Sequence, residues 1–159
     1  MKSSQPSVNA TRLRPNRSIS NDSDRYQRNF EPLRGVPDPQ VAEWFDSQSL
    51  ETLYLSAIAV AELRFGVQSL PVGRRRRRLH EGVERRILPM FAGRLLAFDP
   101  AASQAYADLM AKARSAGRAV SASDGCIAAI AAANGMMVAT RDTSPFEAVG
   151  LKTVDPWEV

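Results

Sequence analysis

Short apolar runs alternate with longer segments of helical periodicity along residues 31–159, and this alternation limits the folds open to the chain. The pattern predicts strands at residues 52–56, 94–98, 136–140 and 151–154. It predicts helices at residues 40–48, 57–70, 74–90, 100–116 and 121–134. Strands that alternate with helices are typical of α/β domains, in which each connection brings the next strand back parallel. We therefore predict an α/β domain with a mainly parallel sheet and a ligand site at the carboxyl ends of its strands.

Residues 1–30 differ from the rest of the chain in composition and charge. They contain six serines, six basic and two acidic side chains, whereas the remaining 129 residues carry 15 basic and 15 acidic groups. The net charge of +4 therefore belongs to this segment, which weakens the nucleic-acid interpretation of the basic chain. Its apolar residues show no helical or strand period, so burial would not offset an ordering cost of about 1–2 kcal/mol per residue. We predict a disordered tail at residues 1–30 and one domain at residues 31–159.

The scarcity of cysteine and histidine excludes several classes of site. The chain has one cysteine, Cys126, and one histidine, His80, which argues against a disulfide framework, a zinc site and a Ser-His-Asp triad. We interpret His80 as a surface residue and Cys126 as a core residue. No apolar run approaches the roughly 18 residues of a membrane span, and no apolar signal segment follows the first residues. These features lead us to expect a cytoplasmic protein without membrane contact.

Three carboxylates are expected at one rim of the sheet. Glu62 lies early in the helix predicted at residues 57–70, Asp124 begins the helix predicted at residues 121–134, and Asp142 follows a strand. Carboxylates that cluster repel one another unless a cation neutralises them, and hard oxygen ligands favour Mg²⁺ or Mn²⁺. A site of this kind is suited to metal-assisted hydrolysis of a phosphodiester.

Each of these acids also has a purely structural interpretation, which the residues leave open. Glu62 shares a helical face with Phe65, so its carboxylate is expected on the apolar side, where a salt bridge to an arginine would also satisfy it. Ser121-x-x-Asp124 fits a capping box at the start of a helix. Asp142 fits a turn or N-cap aspartate before residues 144–148.

Four stretches resemble the PIN-domain ribonuclease toxins of bacterial VapBC and FitAB systems, most strongly the FitB-like branch. They are LYLSAIAVAELRFGV, RRRLHEGVERRILPMFAGRLLAFD, SASDGCIAAIAAANGMMVATRDTSPFEAVGL and the final DPW. The resemblance extends from Glu31 to Trp157 and implies a PIN-like three-layer α/β/α fold. It also implies a Mg²⁺-dependent (alternatively Mn²⁺-dependent) endoribonuclease, a VapB- or FitA-like antitoxin as partner, an RNA substrate and a homodimer.

The resemblance also assigns roles to individual residues. The Glu of the AEL element is Glu62, the Asp of S-x-x-D-x-x-I-A is Asp124, and the Asp of ATRD is Asp142. These three are implied as the catalytic, metal-binding acids. Thr140 is implied as a supporting hydroxyl in the same pocket, whereas the AGR turn at Arg94 and the final PW are implied as structural features.

An arginine run offers candidate RNA contacts. The residues are Arg74, Arg75, Arg76, Arg77 and Arg78. In the toxin interpretation they hold RNA phosphates beside the acidic site; the alternative is a solvated helix face. A third interpretation, an RNA-binding protein without catalysis, is weakened because the domain has zero net charge and lacks the aromatic pair of RNA-binding sheets.

The fourth acid of the family is absent. The family opens with a buried strand that runs through D-T-N-V-I-S into E-P-L-R, and this chain has Glu31-Pro32-Leu33-Arg34 preceded by DRYQRNF. Asp24 is not equivalent, because no apolar strand precedes it. The codons GAT CGA TAC CAA CGT AAT TTC encode DRYQRNF, and the same bases read one position later encode I-D-T-N-V-I. We therefore hypothesise that residues 1–30 are an out-of-frame translation.

The missing segment is the usual first, central strand of the PIN sheet, so its loss is expected to open the sheet and remove a metal ligand. This gives an alternative function: a catalytically dead toxin remnant that still binds its antitoxin.

We predict that genomic sequencing across codons 20–35 will find one base, next to codon 31, that the present reading lacks. The restored frame would encode Asp-Thr-Asn-Val-Ile-Ser directly before Glu31. Confirmation of the present reading at every base would contradict the frameshift and leave the remnant as the better interpretation.

Overall fold

The computed structural model describes residues 10–11 and 39–158. The strands are β1 (Ala10–Thr11), β2 (Leu55–Ser56), β3 (Leu95–Leu96), β4 (Met137–Ala139) and β5 (Thr153–Val154). The helices are α1 (Pro39–Ser47), α2 (Ala57–Gln68), α3 (Arg74–Gly82), α4 (Pro100–Ser115), α5 (Ala122–Ala133) and α6 (Ser144–Ala148). A 3₁₀ turn at Leu50–Thr52 precedes β2, and α3 continues through a π turn at Val83–Ile87 into a last turn at Leu88–Met90. The predicted alternation of strands and helices is confirmed.

Side-chain caps explain where three helices begin. The hydroxyl of Ser56 accepts the Ala59 N–H at 3.0 Å at the start of α2, and the carboxylate of Asp99 accepts the Ala102 N–H at 2.8 Å at the start of α4. Ser121 caps α5 in the same way. Each cap satisfies a backbone donor that has no partner within the helix. These starts lie within one residue of the predicted ones.

The described strands form two sheets, whereas the alternation of strands and helices alone predicted one mainly parallel sheet. Strand β2 pairs in parallel with β3, and β4 pairs in parallel with β5, as expected. Strand β1 pairs with β4 in the antiparallel sense, with Ala10 opposite Val138. Within the part of the chain that the structure describes, no strand joins β2 to β4.

Most of the predicted tail lies outside the described residues, so its disorder and its reading frame stay predictions. Only two residues of the tail are described, Ala10 and Thr11, and they form β1. Helices within the described ranges include none with both the length and the hydropathy needed to cross a bilayer.

Helix α5 is enclosed by its neighbours on nearly every side. Residues Ile127 to Ala131 are all buried, and α5 contacts α2, α4, α6 and β4. A Cβ atom at Gly125 would lie 2.7 Å from the Met110 Sδ atom and 2.9 Å from the Tyr106 ring, so these side chains of α4 would have to shift to admit a larger residue. Cys126, expected in the core, is only partly buried, and this burial raises the pKa of its thiol.

A second apolar cluster packs α1 against β2, α2 and the helical stretch 74–90. Its fully buried side chains include Leu53, Leu55, Ile87 and Phe91. An ion pair joins two helical segments at the surface of this cluster. The Arg64 guanidinium on α2 donates two hydrogen bonds, of 2.7 and 2.8 Å, to the Glu84 carboxylate. The hydrogen bonds from Arg64 lower the pKa of Glu84.

Arg94 joins three segments of this cluster. Its guanidinium donates to the carbonyl oxygens of Leu50, Leu53 and Met90, and it lies 5.3 Å from the centre of the Phe91 ring. These contacts give the arginine of the AGR turn a structural role.

We predict that Arg94→Ala lowers the free energy of unfolding by about 2–3 kcal/mol, because three partly buried carbonyl groups lose a charged donor. Arg118→Ala is the matched control, since Arg118 also donates to carbonyl oxygens, those of Glu147 and Ala148, but at the surface. We expect this control to cost less than about 0.5 kcal/mol. Urea denaturation measures both, and equal losses would contradict the role given to Arg94.

Candidate metal and RNA site

Glu62 lies in the middle of α2, half-buried, and faces the start of α5. Its carboxylate accepts a hydrogen bond from the Ser123 hydroxyl, one residue before Asp124. The alternative of a salt bridge to an arginine does not occur among the described residues, where Ser123 is the partner. Phe65 does not share the apolar face as expected, because 74% of it is exposed. The face that buries residues of α2 instead passes through Ala59, Leu63 and Val67.

Asp124 occupies the first turn of α5 and forms the predicted capping contacts. Its backbone N–H donates to the Ser121 hydroxyl at 3.1 Å, and that hydroxyl donates to the Asp124 carboxylate at 2.7 Å. The carboxylate is therefore both half-buried and held close to the helix N-terminus, where a negative charge is favoured. Among residues 10–11 and 39–158, the other Asp124 carboxylate oxygen has no hydrogen-bond partner.

Asp142 follows β4 at an exposed position and organises the turn into α6. One carboxylate oxygen accepts the Ser144 hydroxyl at 2.8 Å and the Ser144 N–H at 3.3 Å. The buried Thr140 hydroxyl accepts the Asp142 N–H at 3.3 Å. The turn role considered for Asp142 is thus present, and Thr140 fixes its backbone.

The three acids fit Mg²⁺ in their chemistry, because all three offer carboxylate oxygens. The contact between α2 and α5, closed by the Ser123–Glu62 hydrogen bond, brings two of them to one helix junction. Within residues 10–11 and 39–158, however, no three His, Cys, Asp or Glu residues form a group ready to hold a metal ion. The role of Glu62, Asp124 and Asp142 as a joint metal site therefore stays a prediction.

The arginine run begins α3, and the structure divides it. Arg76 and Arg77 line a cleft of about 310 Å³ together with Gln68, Val72, Gly73 and His80. Arg74, Arg75 and Arg78 do not line it. The Gln68 side chain accepts a hydrogen bond from the Arg76 guanidinium across the turn between α2 and α3. His80 is exposed, as expected.

Sequence reasoning missed two contributors to this region. Ser123 lies inside the S-x-x-D element, but the element does not reveal its role. Its contact with Glu62 depends on how α2 and α5 pack. The cleft at Gln68 was also missed, because it depends on the turn at residues 69–73 folding α3 back against α2. No local sequence pattern predicts the Ser123–Glu62 contact or the cleft.

Comparison with known proteins identifies a family and close relatives. The PIN domain family model matches residues 32–152. Plasmid stability protein StbB of Pseudomonas syringae pv. tomato is 57% identical over 128 residues, which are 80% of this chain and 92% of that protein. VapC ribonuclease Y4jK of Sinorhizobium fredii is 57% identical over 125 residues, 79% of this chain and 89% of that protein. Toxin FitB of Neisseria gonorrhoeae is 47% identical over 127 residues, 80% of this chain and 91% of that protein.

A solved structure of FitAB bound to an IR36 DNA fragment contains a similar chain. The match has a TM-score of 0.76 at 46% identity and covers 81% of this chain and 90% of the other. This likeness confirms the predicted PIN-like α/β/α fold.

We predict that Ser121→Ala lowers the free energy of unfolding by about 1 kcal/mol, because it removes the N-cap of α5. Ser115→Ala is the matched control, since this exposed hydroxyl donates only to the Ala111 carbonyl group at the end of α4. We expect the control to change stability by less than about 0.5 kcal/mol. Thermal denaturation decides between them, and an unchanged Ser121→Ala protein would show that the cap is dispensable.

Proposed function

The chain belongs to the PIN-domain family, among the VapC- and FitB-like toxins, and from this premise we propose that it is the endoribonuclease toxin of a type II toxin–antitoxin module. The substrate class is supported by the relative named a VapC ribonuclease, which shares 57% of its aligned residues with this chain. The toxin role is supported by FitB, which is 47% identical. The reaction is hydrolysis of RNA phosphodiester bonds.

The contact between Ser123 and Glu62 is the observation that carries the proposal. It holds the Glu62 carboxylate at the junction where Asp124 begins α5. We propose that Glu62, Asp124 and Asp142 together hold Mg²⁺, with Mn²⁺ as a substitute. When bound, the ion would supply activation of water and neutralisation of the phosphate charge.

The surrounding hydroxyl groups position the three acids. Ser121 fixes the Asp124 carboxylate, and Thr140 holds the backbone of Asp142. A carboxylate whose rotamer is already fixed loses less entropy when it takes up its ligand. The chain's own contribution to catalysis is this positioning.

The proposed partners are RNA, a FitA- or VapB-like antitoxin and a second copy of the chain. The antitoxin is supported by the likeness to a FitAB complex, and it would keep the toxin inactive. We place the protein in the cytoplasm, where its RNA substrate occurs, and Arg74–Arg78 are the proposed source of phosphate contacts.

One observation favours a second function. Strands β2 and β4 belong to separate sheets, and the described residues supply no strand between them. A chain in this state is expected to fold marginally, bind Mg²⁺ weakly and cleave RNA slowly, while its helices still bind the antitoxin. The alternative is therefore a catalytically dead remnant that titrates antitoxin.

We predict that Glu62→Gln lowers the single-turnover RNA cleavage rate in Mg²⁺ by at least about 100-fold and abolishes growth inhibition, because a neutral amide is a poor ligand for Mg²⁺. The matched control is Glu43→Gln, the same change at an exposed position on α1, which should leave cleavage unaltered.

The outcome separates the two functions. If the unsubstituted chain has no measurable cleavage and Glu62→Gln changes nothing, the enzyme proposal is wrong and the remnant is supported. If the unsubstituted chain cleaves as fast as the Sinorhizobium relative, the expected loss of activity through the missing strand is wrong.

A further inference from the structure

The cleft between α2 and α3 carries positive charge that no described acid neutralises. Arg76 is held by Gln68, a neutral amide, so its charge is not paired, and the Arg77 guanidinium has no hydrogen-bond partner among residues 10–11 and 39–158. No aspartate or glutamate lines the cleft. The Arg76 guanidinium is thus held in place, and neither it nor the Arg77 guanidinium is neutralised by a described acid, which favours the capture of an anion.

The cleft has the volume of a small-ligand site. Its volume of about 310 Å³ lies at the lower end of the range of small-molecule pockets. The hydrogen bond from Arg76 to Gln68 fixes one guanidinium against the wall, so less side-chain entropy is lost when an anion binds. Arginine also presents a planar fork of donors that matches phosphate oxygens.

An exposed aromatic residue connects this cleft with the candidate catalytic acid. Phe65 is three residues after Glu62 and three before Gln68 on α2, so the three side chains follow one another around the helix surface. Glu62 and Gln68 are separated by about 9 Å along the helix axis. Phe65 is 74% exposed and Val72, at the cleft, is 91% exposed. The exposed phenyl ring of Phe65 offers a flat surface on which a base can stack, and Val72 adds apolar surface beside it.

We propose that single-stranded RNA lies along α2, with a base stacked on Phe65 and the following phosphate bound in the cleft by Arg76 and Arg77. The inference deepens the proposed function, because it gives the RNA a path that leads from Glu62 to a defined phosphate site. It also sorts the arginine run: Arg76 and Arg77 bind RNA, whereas Arg74, Arg75 and Arg78 contribute only diffuse charge.

A stacking surface beside two neighbouring guanidinium groups favours RNA over an acidic protein segment. Bases have flat faces that an exposed phenyl ring can cover, and stacking contributes roughly fivefold or more in affinity for each base. A carboxylate-rich peptide has charge for the arginines but nothing flat for Phe65. The aromatic residue is therefore the part of the surface that distinguishes the two ligands.

The test is the binding of a fluorescein-labelled, short single-stranded RNA to the full chain, measured by anisotropy in EDTA. Without divalent metal no cleavage occurs, so failure of the nuclease proposal does not affect this result. We expect Arg76→Ala/Arg77→Ala to weaken binding about tenfold and to reduce the slope of log K against log salt by about 0.7, the value for one single-strand phosphate contact. Phe65→Ala should weaken binding at least about fivefold, and Phe65→Leu nearly as much.

Arg85→Ala/Arg86→Ala is the matched control, because it removes two exposed arginines from the same helical stretch outside the cleft. We expect less than a twofold change for this control. If the cleft double variant does not fold, Arg77→Ala alone should give a smaller loss, since its side chain makes no described hydrogen bond. Equal losses for both double variants would overturn the site in favour of diffuse attraction. Displacement of RNA by polyglutamate of equal charge would overturn the choice of ligand.

Discussion

The enclosure of α5 is the constraint on which the rest of the structure depends. Three of its buried residues, Ala128, Ala129 and Ala131, have small side chains that allow the neighbouring elements to pack close to the helix. At Gly125 a Cβ atom would lie 2.7 Å from the Met110 Sδ atom of α4, so the Met110 side chain would have to move to admit it. Since α2, α4, α6 and β4 all pack against this one helix, its diameter sets the spacing of its neighbours. The same packing places its N-terminal turn, and with it Asp124, against α2.

Helices were predicted well because their start signals are local. Ser56, Asp99 and Ser121 each accept a backbone N–H three residues later, and the sequence contains every group that takes part. Strands were predicted too long, because a ladder extends only as far as its neighbour does. The segment predicted at residues 136–140 pairs over Met137–Ala139, where β5 and β1 lie beside it. The pairing of β2 with β3 and of β4 with β5 in separate sheets is likewise encoded by no pattern within a single strand.

The candidate site shows the same contrast between local and long-range information. The Asp124 cap and the Asp142 turn were readable, since their partners lie two or three residues away. The orientation of Phe65 was not readable, because one helical face cannot be assigned from spacing when apolar residues occupy several. The orientation of the α2 surface is set by its packing on α5, where the Ser123 hydroxyl donates a hydrogen bond to the Glu62 carboxylate. Metal binding cannot be assigned to any one of these acids from its local contacts, because it depends on all three acids together.

The equal numbers of acidic and basic groups in the domain conceal how differently its arginines are used. Glu84 neutralises the charge of Arg64, and this ion pair joins two helices. Arg94 gives its donors to backbone carbonyl groups inside the protein, where it acts as a structural cross-link. Arg76 is anchored by a neutral amide, and Arg77 is unpaired among the described residues. Net charge therefore says little about nucleic-acid binding in this fold. What matters is whether a guanidinium group is held in place by a partner that leaves its charge available, and the cleft is where the structure provides that combination.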